Sequence, residues 1–173
     1  NDASVVNGTT TIKTGAWYHM AVVKDGSSSM KGYLNGTLEC SSASFNWSGS
    51  TQACYIAGYA GAGLFTGYIS NARVVNGTAV YTGNFTPSTT PLSAIANTVL
   101  LTCQSNRFLD NSTNNFTITV NGDSSIKGFN PFAPDSNYST YGSGYFDGTG
   151  DYISLPSSSN LRSEEHTSEL QSH

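Results

Sequence analysis

The stretch Trp17-Tyr18-His19-Met20-Ala21-Val22-Val23-Lys24-Asp25-Gly26, followed by Met30-Lys31-Gly32-Tyr33-Leu34-Asn35-Gly36-Thr37-Leu38-Glu39-Cys40, decides the fold. Residues 17–24 are apolar at both alternating sets of positions, as in a strand covered on both faces. Asp25-Gly26 turns the chain. Asn35-Gly36 is the signal of a two-residue type I′ hairpin, in which both central residues need positive φ. Three neighbouring antiparallel strands are therefore predicted before residue 43.

The pattern continues outward. Cys54–Gly58, Leu64–Ile69 and Ala72–Val75 read as strands, with Asn76-Gly77 as the next turn. Thr86-Pro87-Ser88-Thr89-Thr90-Pro91 reads as a linker or extended connection. Thr98–Cys103 and Phe116–Val120 resume strand, and Gly144–Asp147 and Asp151–Leu155 look like a hairpin around Gly148-Thr149-Gly150. Helical periodicity is missing before residue 162. Composition agrees: the 173 residues include 16 Asn, 26 Ser, 20 Thr and 18 Gly, types that favour turns and strands over helix, and 10 Tyr and 8 Phe supply strand material. The expected class is an all-β antiparallel sandwich.

The charge balance excludes several functions. Seven Lys and Arg against eleven Asp and Glu give a net charge of −4, with no basic footprint for nucleic acid. No apolar run is long enough for a membrane span. The three cysteines, Cys40, Cys54 and Cys103, are too scattered for a disulfide framework or zinc site. A Cys40–Cys54 bond is open if their strands are neighbours, but small buried side chains are the favoured reading. The opening Asn1-Asp2-Ala3-Ser4 has neither an initiator Met nor a leader pattern, so the chain reads as a fragment of something longer.

Residues 17–26 and 32–37 resemble the W-H-x-A-V and Y-x-N-G strands of laminin-G-like jelly-roll domains in the concanavalin A-like lectin/glucanase superfamily. Phe65-Thr66-Gly67-Tyr68-Ile69-Ser70-Asn71-Ala72-Arg73-Val74 is similar to the closing strand of that domain. Gly144-Tyr145-Phe146-Asp147-Gly148-Thr149-Gly150-Asp151-Tyr152-Ile153 is similar to a strand near its beginning. The order is inverted, which the resemblance explains as a tandem array cut across a junction. On this reading residues 1–86 are the C-terminal half of one domain, 87–97 a linker, and 98–161 the N-terminal part of the next. The sandwich is then incomplete and circularly permuted, with residues 98–155 pairing with residues 15–75 and an apolar face left open.

Residues 162–173, Arg162-Ser163-Glu164-Glu165-His166-Thr167-Ser168-Glu169-Leu170-Gln171-Ser172-His173, differ in composition from the rest and resemble the in-frame translation of a sequencing adapter. They are read as an adapter-derived artefact of a metagenomic fragment and set aside from functional reasoning. With Leu170 as their one apolar anchor they are expected to lie exposed or form a loose helical turn.

The resemblance implies sugar recognition. Glycosidases of this fold carry paired carboxylates on one strand, where one acts as acid and the other as base or nucleophile. Glu39 is the only glutamate before the tail, and His19 lies in an apolar strand, unsuited to a Ser-His-Asp triad. A non-catalytic module is therefore expected, binding a glycan or cell-surface carbohydrate within a repetitive virion, tail-fibre or bacterial surface protein beside neighbouring repeats. The alternatives are a structural spacer and an accessory domain of a larger glycoside hydrolase. Trp47, Tyr59, Tyr138 and Tyr141 are the candidate stacking residues. Calcium is the one cofactor the resemblance admits, with Asp110, Asp147 and Asp151 as candidate ligands. Those acids also suit turn capping, and that simpler role is favoured.

Overall fold

The computed structural model describes residues 6–26, 29–43, 53–60, 62–132, 140–161 and 166–173. Eleven strands run through them: β1 (Tyr18–Lys24), β2 (Met30–Leu34), β3 (Thr37–Ser42), β4 (Cys54–Ile56), β5 (Thr66–Asn76), β6 (Thr98–Thr102), β7 (Thr119–Asn121), β8 (Ser125–Lys127), β9 (Ser143–Asp147), β10 (Tyr152–Leu155) and β11 (His166–Ser172). A larger sheet has the order β3-β2-β1-β11-β5-β9-β8, with β6 also paired to β5, and a smaller one has the order β4-β10-β7. All pairings are antiparallel. This is the expected all-β sandwich.

The local signals explain the first three strands. Asn35 and Gly36 have φ of 49° and 79°, as a type I′ turn requires. A methyl group on Gly36 would lie 1.9 Å from the Phe85 carbonyl oxygen, so glycine is needed there for space as well as conformation. Predicted strands 64–69 and 72–75 merge into the single long β5, which bends at Asn71 (φ 59°).

The core lies between the sheets. Ile69 and Phe146 from the larger sheet meet Ile153 from the smaller, with Cys103 beside them and Ile56, Phe65, Phe108, Ile118 and Leu170 packed around. Residues 98–155 pair with residues 15–75 through β5–β6, β5–β9 and β4–β10, as the permuted reading requires. The Ser/Thr/Pro stretch lies against the larger sheet: Leu92 is buried and its N–H donates to Asn71 Oδ1, while Arg73 Nη1 donates to the Ser93 carbonyl. On the core side of β1–β3, the described residues form an apolar groove of about 530 Å³ lined by Val6, Ile12, Met20, Val22, Met30 and Leu34. All three cysteines are free.

Two expectations are corrected. Strands β9 and β10 are not a hairpin; they belong to different sheets. The glycine-rich turn between them is an arch, so that Phe146 and Ile153 enter one core from opposite sides. The tail is not helical: His166–Ser172 forms a strand between β1 and β5, and Thr167–Ser172 are buried or half-buried rather than exposed. Thr167, Glu169 and Gln171 are buried on one face, where β1 presents His19, Ala21 and Val23. Leu170 points the other way, into the core. Counting apolar residues missed this strand because polar partners hold its buried face.

Candidate functional site

The smaller sheet buries Ile153 and Leu155, so the intervening Tyr152 and Ser154 belong to its other face. The register sets Tyr55 beside Ser154, and Asn121 and Thr119 beside Tyr152 and Ser154. That outer face therefore carries two tyrosines, an amide and hydroxyls. Asn121 Nδ2 donates to Ser154 Oγ at 3.3 Å. Tyr59 joins from the following loop, where Tyr59 and Ala62 exchange two backbone hydrogen bonds of 2.8 Å. The Tyr55 ring lies 5.1 Å from Tyr59 and 5.9 Å from Tyr152, both at inclined angles. Tyr59 is 56% exposed, the most open large hydrophobic side chain among the described residues.

Of the other candidate stacking residues, Trp47 and Tyr138 lie outside the described residues, and Tyr141 sits at an isolated bridge to Ser105 before β9. Tyr55, Tyr152 and Asn121 were not singled out as site residues. Their signal was alternation: each tyrosine precedes an inward isoleucine. A second aromatic group joins Trp17, Tyr68, Tyr145 and Phe129, with Trp17–Phe129 at 5.4 Å and Tyr68–Tyr145 at 5.0 Å.

At one end of β10, Asp123, Asp147 and Asp151 each place a carboxylate oxygen within 4.8 Å of the others. Asp123 is the member missed by the sequence reading. Asp151 is buried; its Oδ1 accepts from Asp123 N–H at 2.9 Å and its Oδ2 from Asp147 N–H at 2.8 Å. Asp147 Oδ1 in turn accepts from Thr149 N–H. These contacts make Asp151 the clasp of the arch, a role that needs no cation. Asp110 stands apart, accepting from the N–H groups of Leu101, Ser112 and Phe116 and from the Ser112 hydroxyl. Its chemistry there is that of a loop staple.

Two carboxylates bear on catalysis. Glu39 accepts from the Thr10 hydroxyl and from the N–H groups of Thr9 and Thr10, and these bonds lower its pKa to about 2. It is ionised at neutral pH and has no proton to give. Glu169 is enclosed by His19 Nε2 at 3.2 Å, the Tyr81 hydroxyl at 2.8 Å and the Arg73 guanidinium. Burial pushes its pKa up, but the His19 hydrogen bond and the Arg73 charge outweigh it and leave the net shift downward. Burial and then the Glu169 charge push the Tyr81 phenol up. The side chains of His19, Arg73 and Glu169 are buried in this ionic cluster.

Among the described residues, no helix is long and apolar enough to cross a membrane. Residues 1–83 match the family model described as the concanavalin A-like lectin/glucanases superfamily. Neither curated proteins nor solved structures gave a match. Sandwich architecture and this match agree: residues 1–83 are similar to laminin-G-like jelly-roll domains of the concanavalin A-like lectin/glucanase superfamily, a carbohydrate-binding type of module.

Proposed function

We propose that the chain is a non-catalytic glycan-binding module whose contact surface is the outer face of the smaller sheet. The carrying observation is the group Tyr55, Tyr59 and Tyr152, open at Tyr59 and bordered by Asn121 and Ser154. Aromatic rings cover the apolar C–H face of a sugar, while amide and hydroxyl groups meet its hydroxyls. Neither side chain type brings charge, which suits a neutral glycan. The state of Glu39 and the enclosure of Glu169 support binding without turnover, because glycoside hydrolysis requires an accessible acid and a second carboxylate across the scissile bond. The setting that fits is a virion or cell-surface protein with repeated domains, where many weak contacts add to avidity. Calcium, if the parent protein uses it, would meet the three carboxylates at the arch.

A glycan array followed by titration of the strongest ligand tests this. The Tyr59→Ala and Tyr152→Ala variants should each weaken binding roughly tenfold, the loss of about one stacking contact. Undiminished binding in the double variant would move the site elsewhere. Release of reducing sugar by the purified protein would refute the non-catalytic reading.

A further inference from the structure

The three tyrosine rings of the smaller sheet do not share a plane. Tyr55 stands at 71° to Tyr59 and at 54° to Tyr152. Nor is the group free to flatten. Tyr55 and Tyr152 lie on the paired strands β4 and β10, in fixed register. Tyr59 is held by its two backbone bonds with Ala62, and the Phe65 N–H donates to the Ala57 carbonyl at 2.8 Å, closing the loop at its base. Ala57 and Ala60, on either side of Tyr59, have φ of 70° and 47°, the left-handed region that residues with a side chain seldom enter. Strained backbone of this kind persists only where its surroundings over-determine it, and here it fixes the direction of the most exposed ring. Gly58 lets the loop lie against the sheet: a methyl group there would stand 2.8 Å from Leu64 Cδ2 and 3.4 Å from Tyr152 Cβ.

We propose that this site takes a helically coiling, soluble glycan chain and rejects flat ribbons and crystalline surfaces. The proposal rests on the glycan-binding reading above and narrows it to one class of chain. An aromatic ring covers a sugar only when the two faces are nearly parallel. In a flat ribbon, such as a cellulose-type chain, successive sugar rings lie close to one plane. A ribbon therefore stacks on one of the three tyrosines and meets the others at an angle. In a coiling chain of the amylose or laminarin type, each sugar is rotated from the one before. Its successive faces turn as the tyrosine planes do, so more than one ring is engaged at once. The fixed loop adds affinity for that shape, because the rings need no reordering on binding, and it denies the flat chain a rearranged platform.

The test titrates the full chain with glucose hexasaccharides of one composition, maltohexaose and laminarihexaose against cellohexaose, beside a pull-down on microcrystalline cellulose. If the glycan array selects a different sugar, the same comparison is made between its coiling and ribbon-forming linkage isomers. A coiling chain should bind roughly tenfold more tightly than the ribbon, the difference of about one stacking contact, and crystalline cellulose should retain no protein. Affinity should rise from the disaccharide to the tetrasaccharide. Ala57→Gly with Ala60→Gly keeps residues that tolerate the left-handed region but frees the loop, and should reduce the preference to about threefold or less. Equal affinity for coil and ribbon, tighter binding of the ribbon, retention on crystalline cellulose, or a full preference in the glycine variant overturns the inference and leaves glycan binding standing. An array without any bound glycan overturns the glycan-binding reading itself.

Discussion

Replacing Glu169 by alanine should remove about 3–5 kcal/mol of stability, the range for breaking a buried ion pair from one side. Its apolar part is small: losing the Cγ methylene accounts for about 0.8 kcal/mol. The remainder comes from what stays behind. Arg73 keeps one bond, Nη1 to the Ser93 carbonyl at 2.9 Å, but loses its carboxylate. His19 loses the partner of Nε2, and its Nδ1 already has none. The Tyr81 hydroxyl loses its acceptor inside the Phe85 stack. For a chain of this size the expected fall in Tm is roughly 6–20 °C.

Urea unfolding followed by tryptophan fluorescence measures this, with circular dichroism as a second probe to check two-state behaviour. Two further variants separate charge from packing. Glu169→Gln keeps the shape and loses the charge, so it should retain only a minor part of the stabilisation. Glu169→Met with Arg73→Met and His19→Leu removes the whole ionic group and should recover most of the loss, since apolar replacement of a complete buried cluster is often neutral or better. A loss below about 1 kcal/mol for Glu169→Ala would mean that residues 166–172 do not sit between β1 and β5. The tail would then be the loose, exposed segment that its composition suggests.

Stability should also fall in acid. The Glu169 carboxyl titrates below its ordinary 4.5 in the folded chain, so its contribution is present above about pH 4.5 and is lost as the pH drops through the folded value; urea midpoints from pH 7 to 3 should decline more steeply for the parent than for Glu169→Ala. Asp151→Ala strips two part-buried N–H groups of their acceptor and should cost about 1–2 kcal/mol, measured by thermal melting. Added calcium should leave the Tm of the parent chain in place, and a rise that Asp147→Asn abolishes would assign the three carboxylates to a cation instead. Gly36→Ala places a methyl against the Phe85 carbonyl at positive φ and should cost more than about 1 kcal/mol, read from the same melts.

What could be read from the amino acids alone was what is local. The turn at Asn35-Gly36 needs only its own two residues, and β1 to β3 follow from it in order. The tyrosine face was half legible: the alternation of Tyr152-Ile153-Ser154-Leu155 marks an outward tyrosine, but pairing with β4, a hundred residues away in sequence, is what brings Tyr55 beside it. The Asp147–Asp151 segment shows how one local signature serves two outcomes. A glycine-rich turn between alternating strands closes a hairpin or arches between sheets, and the choice falls to distant partners, β5 for β9 and β4 for β10. The tail was illegible for a related reason. Thr-Ser-Glu-Leu-Gln-Ser has the period of a strand, with Leu170 on one face, yet its other face is polar and looks solvent-bound. Only when β1 and β5 stand one strand apart do His19 and Arg73 face a shared gap, and only then is a buried carboxylate favourable rather than costly. Hydrophobic pattern fixes which residues can be inside when the lining is apolar; here the lining holds the Arg73 guanidinium, so the rule inverts, and the residue least expected in a core is the one that pairs with it.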